Sequence, residues 1–184
     1  MKTKRTLAAL AATGLLALSA CNSEAEMKDN GEEEVSSETL AALLEGSENL
    51  SVISEIFANA GLHGVFDGNA PYTVFAPTDE AFAALDIPLD GPDARAARVA
   101  IVREHIVPGY LSMDDIAAAI ASADGSAEMQ TMGSNTLTFS QDGDNLVVTS
   151  SDGTSGVVAG DVISGANGSV IPMDTVLKSM EEPQ

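Results

Sequence analysis

An α+β domain is predicted by three features of the 184-residue sequence. Apolar residues recur at helical spacing in its first half, runs of Thr, Val and Phe separated by polar Gly-containing turns fill its second half, and a single Cys rules out an intramolecular disulfide. Stability therefore depends on a buried apolar core.

The elements follow in order. A short helical pattern surrounds Glu38 to Leu44, and Leu50, Ile53, Ile56, Phe57 and Ala60 then repeat at helical spacing. Gly61 ends that helix, since glycine takes the left-handed C′ conformation without a Cβ penalty, and Leu62 can pack back on the last turn. Pro71 to Ala76 reads as extended, with Tyr72, Val74 and Phe75 as strand formers. Thr78 reads as the N-cap of the next helix, with Asp79 and Glu80 at the positive end of its dipole. Ser112 to Ala123 is a Ser-capped helix in which Ser112 and Asp115 have capping-box spacing. Strands are expected at Thr136 to Ser140, Leu146 to Thr149, Val157 to Ile163 and Val170 to Met173. The turns Asp142-Gly143-Asp144 and Ser151-Asp152-Gly153 punctuate them.

The amino-terminal segment carries different information. Lys2, Lys4 and Arg5 are the only charges before residue 24, and they precede an apolar run from Leu7 to Leu18 that is too short to cross a bilayer as a permanent helix. That is the layout of an export signal. Leu18, Ser19, Ala20 and Cys21 resemble the lipobox read by lipoprotein signal peptidase. Leu18 is too large for the position that ordinary signal peptidase keeps small, which favours cleavage before Cys21. The resemblance implies a signal peptide over residues 1–20 and acyl chains on Cys21. Each buried CH₂ contributes roughly 0.8 kcal/mol, so two or three chains anchor firmly where one would not.

Residues 21–37 are Glu-rich, include three successive glutamates at 32 to 34, and have almost no large apolar side chains. Such a segment cannot bury a core and is expected to be a disordered acidic tether. Asn22 is not the aspartate associated with inner-membrane retention, so outer-membrane sorting is the expectation, in the periplasm or at the cell surface. Loss of residues 1–20 leaves five basic against 28 acidic residues. Lys28, Arg95, Arg98, Arg103 and Lys178 are too few and too dispersed for phosphate recognition, which excludes nucleic acid as a partner and disfavours anionic lipid headgroups.

Three stretches carry a family resemblance. Tyr72-Thr73-Val74-Phe75-Ala76-Pro77-Thr78-Asp79-Glu80-Ala81-Phe82 closely resembles the first signature of fasciclin domains over eleven consecutive positions. His105-Ile106-Val107-Pro108-Gly109 is similar to the family's central His-containing segment, and Asn167, Gly168, Val170, Asp174, Thr175, Val176 and Leu177 are similar to its second signature. Order and spacing fit from about Thr39 to Ser179, which places a fasciclin-like domain at residues 38–180. The resemblance implies two β-sheets in a wedge flanked by several helices. It also implies structural roles within the motifs for Thr78, Asp79, Phe82, His105, Pro108, Gly109, Asn167, Gly168 and Asp174. Two positions depart from the family pattern: Glu104 stands where a Tyr is frequent, and Ile171, followed by Pro172, stands where a second His is frequent.

Catalysis is not expected. His63 and His105 lie in different segments without a nucleophile or ligand motif, His105 reads as a buried hydrogen-bonding residue, and Asp142-Gly143-Asp144 lacks the spacing of a calcium loop. No cofactor or metal is called for. Family resemblance implies adhesion, through surface proteins or glycans of cells or matrix, including biofilm contacts. Asp161 and Val162 stand where animal members have an Asp-Ile pair implicated in adhesion, against the simpler reading of a turn residue and a core residue. The alternative is an envelope-exposed binder of a small apolar ligand of carotenoid or lipid type, for which Met113, Met129, Met132 and Met173 would supply an adaptable lining.

Overall fold

The architecture was obtained as a computed structural model that describes residues 35–85 and 94–178. The signal segment, Cys21 and the tether up to residue 34 lie outside the described residues, as does the His63 side chain. Five helices and one strand come first: α1 (Leu40–Gly46), α2 (Ser51–Ala60), α3 (His63–Phe66), β1 (Tyr72–Pro77), α4 (Asp79–Ala83) and α5 (Arg95–Glu104). There follow β2 (Ile106–Pro108), α6 (Met113–Ser122), β3 (Ser126–Gln130), β4 (Thr136–Asp142), β5 (Asn145–Ser150), β6 (Ser155–Val157), β7 (Ile163–Gly165) and β8 (Gly168–Met173). No described helix is long and apolar enough to cross a membrane.

Local chemistry accounts for the helix ends. Thr39, Thr78 and Ser112 cap α1, α4 and α6 through their side-chain oxygens, and Ser112 with Asp115 completes the capping box. Gly61 has φ 73°; its N–H bonds the Ala58 carbonyl and the Leu62 N–H bonds that of Phe57, a Schellman closure that turns Leu62 back onto the core.

The strands form two four-stranded sheets, ordered β2-β1-β8-β7 and β3-β4-β5-β6. All pairings are antiparallel except that of β1 with β8, which runs parallel from Tyr72↔Gly168 to Pro77↔Met173. The sheets meet at two places. Met132, just past β3, donates its N–H to the Ile106 carbonyl of β2, and Val158 bridges Met173 at the end of β8.

The first sheet is covered on both faces, so β8 is buried along its whole length and β1 along nearly all of it. Alternation along β1 divides the core. Val74 and Ala76 join Leu40, Leu44, Ile53, Phe57 and Phe66 beneath the helices, whereas Phe75 points the other way, with Ile171 and Leu177, into the space enclosed by α6 and the second sheet. In the second sheet Leu137, Phe139, Leu146 and Val148 point inward, and Phe139 stacks at 5.1 Å from Phe75. Each fully buried Phe contributes on the order of 2 kcal/mol.

Two expectations fail. The disordered tether expected over 21–37 does not extend to its end, since Val35 bridges Ser164 of β7 and the Ser36 N–H bonds the Ser164 carbonyl. Val157 to Ile163 is not a single strand: β6 ends at Val157, β7 begins at Ile163, and the residues between carry the chain from the second sheet to the first. Gly160 passes over the Pro172 ring here and Asp161 is exposed, so the segment has neither a strand neighbour along its length nor a continuous apolar face. Helix α5 and strand β3 were not anticipated. The sequence of β3, Ser-Ala-Glu-Met-Gln, contains no β-branched or aromatic residue and becomes a strand by pairing with β4.

Candidate functional site

The three separated signature stretches become three neighbouring strands. The first supplies β1, the central segment supplies β2 on one side of it, and the second supplies β8 on the other. The polar residues within them tie strands to the surrounding helices and loops.

Asn167 is the most heavily used. Its Oδ1 accepts the Leu40 N–H at 2.8 Å, while Nδ2 donates to the carbonyls of Phe66 and Gly68. One side chain thereby holds the start of α1, the end of α3 and the β7–β8 turn. Thr73 and Ser169, both fully buried, fix the loop after β2: Thr73 Oγ1 donates to the Gly109 carbonyl and accepts the Leu111 N–H, and Ser169 Oγ donates to the Leu111 carbonyl. Gly109 turns that loop with φ 113°, and its N–H bonds the Pro71 carbonyl. Pro108 is exposed at the end of β2.

Asp79 occupies the first turn of α4, as expected, but its carboxylate serves another helix. The N-cap position of α2 is Leu50, which has no capping side chain. Asp79 supplies the missing acceptor from across the fold, taking the Val52 N–H at 2.8 Å and the Ser51 hydroxyl at 2.5 Å. Asp79→Ala is expected to cost about 1–2 kcal/mol in urea denaturation, the typical loss of an N-cap, while Thr78 continues to cap α4. Phe82 is buried in the helical core cluster. Asp174 Oδ1 accepts the Val157 N–H at 2.8 Å and fastens the end of β8 to β6.

Glu104 and His105 end α5. Glu104 is 3% exposed; its two oxygens accept hydrogen bonds from the Thr131 hydroxyl, the Ser134 N–H and hydroxyl, and the Asn135 N–H, and Lys178 lies 3.7 Å away. Burial disfavours the charge, yet those bonds together outweigh it and hold the carboxyl below its usual range. The loop leaves no room for more than hydrogen at Gly133, where a Cβ would stand 2.3 Å from the Glu104 carboxyl carbon. Thus the Glu104 departure provides an anion around which residues 131–135 are wrapped. The Ile171 departure is apolar: the side chain is fully buried in the second core cluster.

His105 is fully buried, with Nδ1 2.7 Å from the Ile101 carbonyl and Nε2 accepting the Leu177 N–H at 2.8 Å. This arrangement requires a neutral ring protonated on Nδ1. Burial, the dominant influence, lowers its pKa from 6.5 to about 4. The unfolded chain therefore takes up this proton first as pH falls. Stability from this residue is complete above about 6.5 and is lost progressively down to about 4, by a total of about 3 kcal/mol. Denaturation midpoints across this range check the loss, which His105→Gln is expected to flatten.

The remaining expectations fall in different places. Asp161 is exposed and Val162 half-buried against the second core cluster, on the crossover between the sheets and outside the motif strands. Met113 and Met129 pack against the second cluster, Met173 is fully buried within it, and Met132 packs against the first, so the four methionines do not line one cavity. A depression of about 500 Å³ is lined by Asn49, Thr78, Asp79, Glu80, Ala159 and Asp174 among others. Among the described residues there is no cluster of three or more His, Cys, Asp or Glu able to hold a metal ion.

Comparison with known proteins decides the family, since residues 48–179 match the Fasciclin domain. The chain belongs to the fasciclin family. A domain pair from the insect cell adhesion molecule Fasciclin I has the same fold, with a TM-score of 0.59 and 22% identity over 70% of this chain and 45% of that one. A curated relative, Protein sll1483 of a Synechocystis strain, is 30% identical over 105 residues, 55% of this chain and 54% of that protein. The chain therefore spans about half the length of that relative. Fasciclin domains occur in cell adhesion proteins and are generally adhesion modules rather than enzymes.

Proposed function

We propose that this fasciclin protein is an envelope-anchored adhesion module, tethered by acyl chains on Cys21 and working outside the cytoplasm through contacts with surface proteins or glycans. The observation that carries the reading is the order of parts in the sequence. A basic, then apolar leader ends in Leu18-Ser19-Ala20-Cys21, an acidic stretch of residues 21–37 follows, and a fasciclin domain comes next. Outer-membrane sorting follows from Asn22. The acidic balance, 28 Asp and Glu in the whole chain, disfavours contact with anionic headgroups. Exposed Asp161 on the sheet-to-sheet crossover is the residue assigned to the adhesive contact, beside the half-buried Val162.

Attachment of host cells to a coated surface tests the proposal. Deleting residues 38–180 while retaining the anchor is expected to reduce attachment and biofilm mass, and Asp161→Ala is expected to reproduce part of that loss in a folded protein. Undiminished attachment after the deletion contradicts the adhesive role. Normal attachment by Asp161→Ala removes that residue alone.

A further inference from the structure

We propose that residues 174–178 form an acid-released strap, latched to the end of α5 by His105 and Glu104. After β8 the chain threads between the two halves of the core: Val176 is buried in the cluster under the helices and the next residue, Leu177, in the cluster between the sheets. Two polar attachments draw this segment to α5. Leu177 donates its N–H to His105 Nε2 at 2.8 Å, and Lys178 Nζ lies 3.7 Å from Glu104 Oε1. Both attachment points titrate on the acid side, and they are consecutive in the chain.

The latch depends on the lone pair of Nε2. His105 already donates from Nδ1 to the Ile101 carbonyl, so an added proton can go only to Nε2, where it meets the Leu177 N–H head-on. Two donors then oppose each other in a site from which water is excluded. The imidazolium would face Glu104 on its own helix and Asp152 in the β5–β6 turn, which favour the charge, and Lys178 on the strap, which opposes it. The least disruptive relief is withdrawal of the strap, which opens His105 to water and leaves the strands of both sheets paired. The strap lines a depression of about 320 Å³ together with Ala81 of α4 and Ala84 just beyond it, so its departure joins that depression to the apolar interior.

Hydrogen exchange of the full chain, corrected for intrinsic rates, tests the latch. With an ordinary value of 6.5 in the released state and about 4 in the latched state, the released population rises roughly thirty-fold between about pH 7.5 and about pH 5. Protection of the Leu177 amide is expected to fall by that factor and to stay well below that of Val74 and Val148 at both pH values, because those amides open only when the sheets part. Asn135, bonded to Glu104, reports separately on the loop. His105→Gln, which keeps a donor and an acceptor but does not titrate, is expected to abolish the pH dependence. Unchanged Leu177 protection in the wild type, or Leu177 protection equal to that of Val74 at both pH values, overturns the proposal. If the variant does not fold, the wild-type His105 ring resonances decide: titration near 6.5 with Leu177 still protected also overturns it.

Discussion

Gly168→Ala is expected to abolish stable folding, with a loss of more than about 4 kcal/mol in chemical denaturation. The residue has φ 154°, and a Cβ there would stand 1.9 Å from the Tyr72 carbonyl oxygen and 2.7 Å from Leu40 Cδ1. The nearest obstacle is backbone, fixed by the parallel register that sets Tyr72 beside Gly168 and by the Tyr72 N–H bond to the Asn167 carbonyl. No rotamer change relieves it. Space for the methyl requires β1 to part from β8, the central pair of the first sheet. Gly143→Ala is the control: φ is 62°, but nothing lies within 4 Å, so only the left-handed backbone penalty of about 1 kcal/mol applies. Equal losses at the two sites would contradict the close-approach argument.

Asn167→Ala is expected to cost about 4 kcal/mol by the same measurement. Truncation strips partners from the Leu40 N–H and from the Phe66 and Gly68 carbonyls. Leaving a buried polar group unpaired costs about 1–3 kcal/mol, partly recovered where water enters. Asn167→Asp separates donor from acceptor. It can still accept from Leu40 but turns a carboxylate toward two carbonyls, and is expected to be at least as destabilising as alanine. The loosened part should be α1, whose Leu40 and Leu44 are buried in the helical core, so exchange at their amides should rise first. A stability loss below about 1 kcal/mol for Asn167→Ala would show that the three bonds are dispensable.

Much of the fold was legible because it rests on local chemistry. The periodicity from Leu50 to Ala60, the stop at Gly61, the caps at Thr78 and Ser112, and the β4 and β5 strands each depend on residues within a few positions of one another. What escaped depends on distant partners. Strand β3 exists because β4 pairs with it, and the crossover at 158–162 is set by where two sheets meet. The motif residues were legible by resemblance, but their partners were not. Nothing near Asp79 in sequence announces that it caps a helix 28 residues upstream, and nothing around Glu104 announces the loop 27 to 31 residues downstream that surrounds it. Gly133 was a usable clue, a glycine in a polar stretch where a backbone approaches something closely.

The proposed adhesive role depends most on the proposed acylation of Cys21, because an adhesive domain acts for the cell only if it is attached to it. Radiolabelled palmitate fed to the host tests that directly. Label is expected on the wild-type protein, absent from Cys21→Ala, with the labelled form in the envelope fraction. Wild-type protein that carries no label, or label that survives Cys21→Ala, would contradict it.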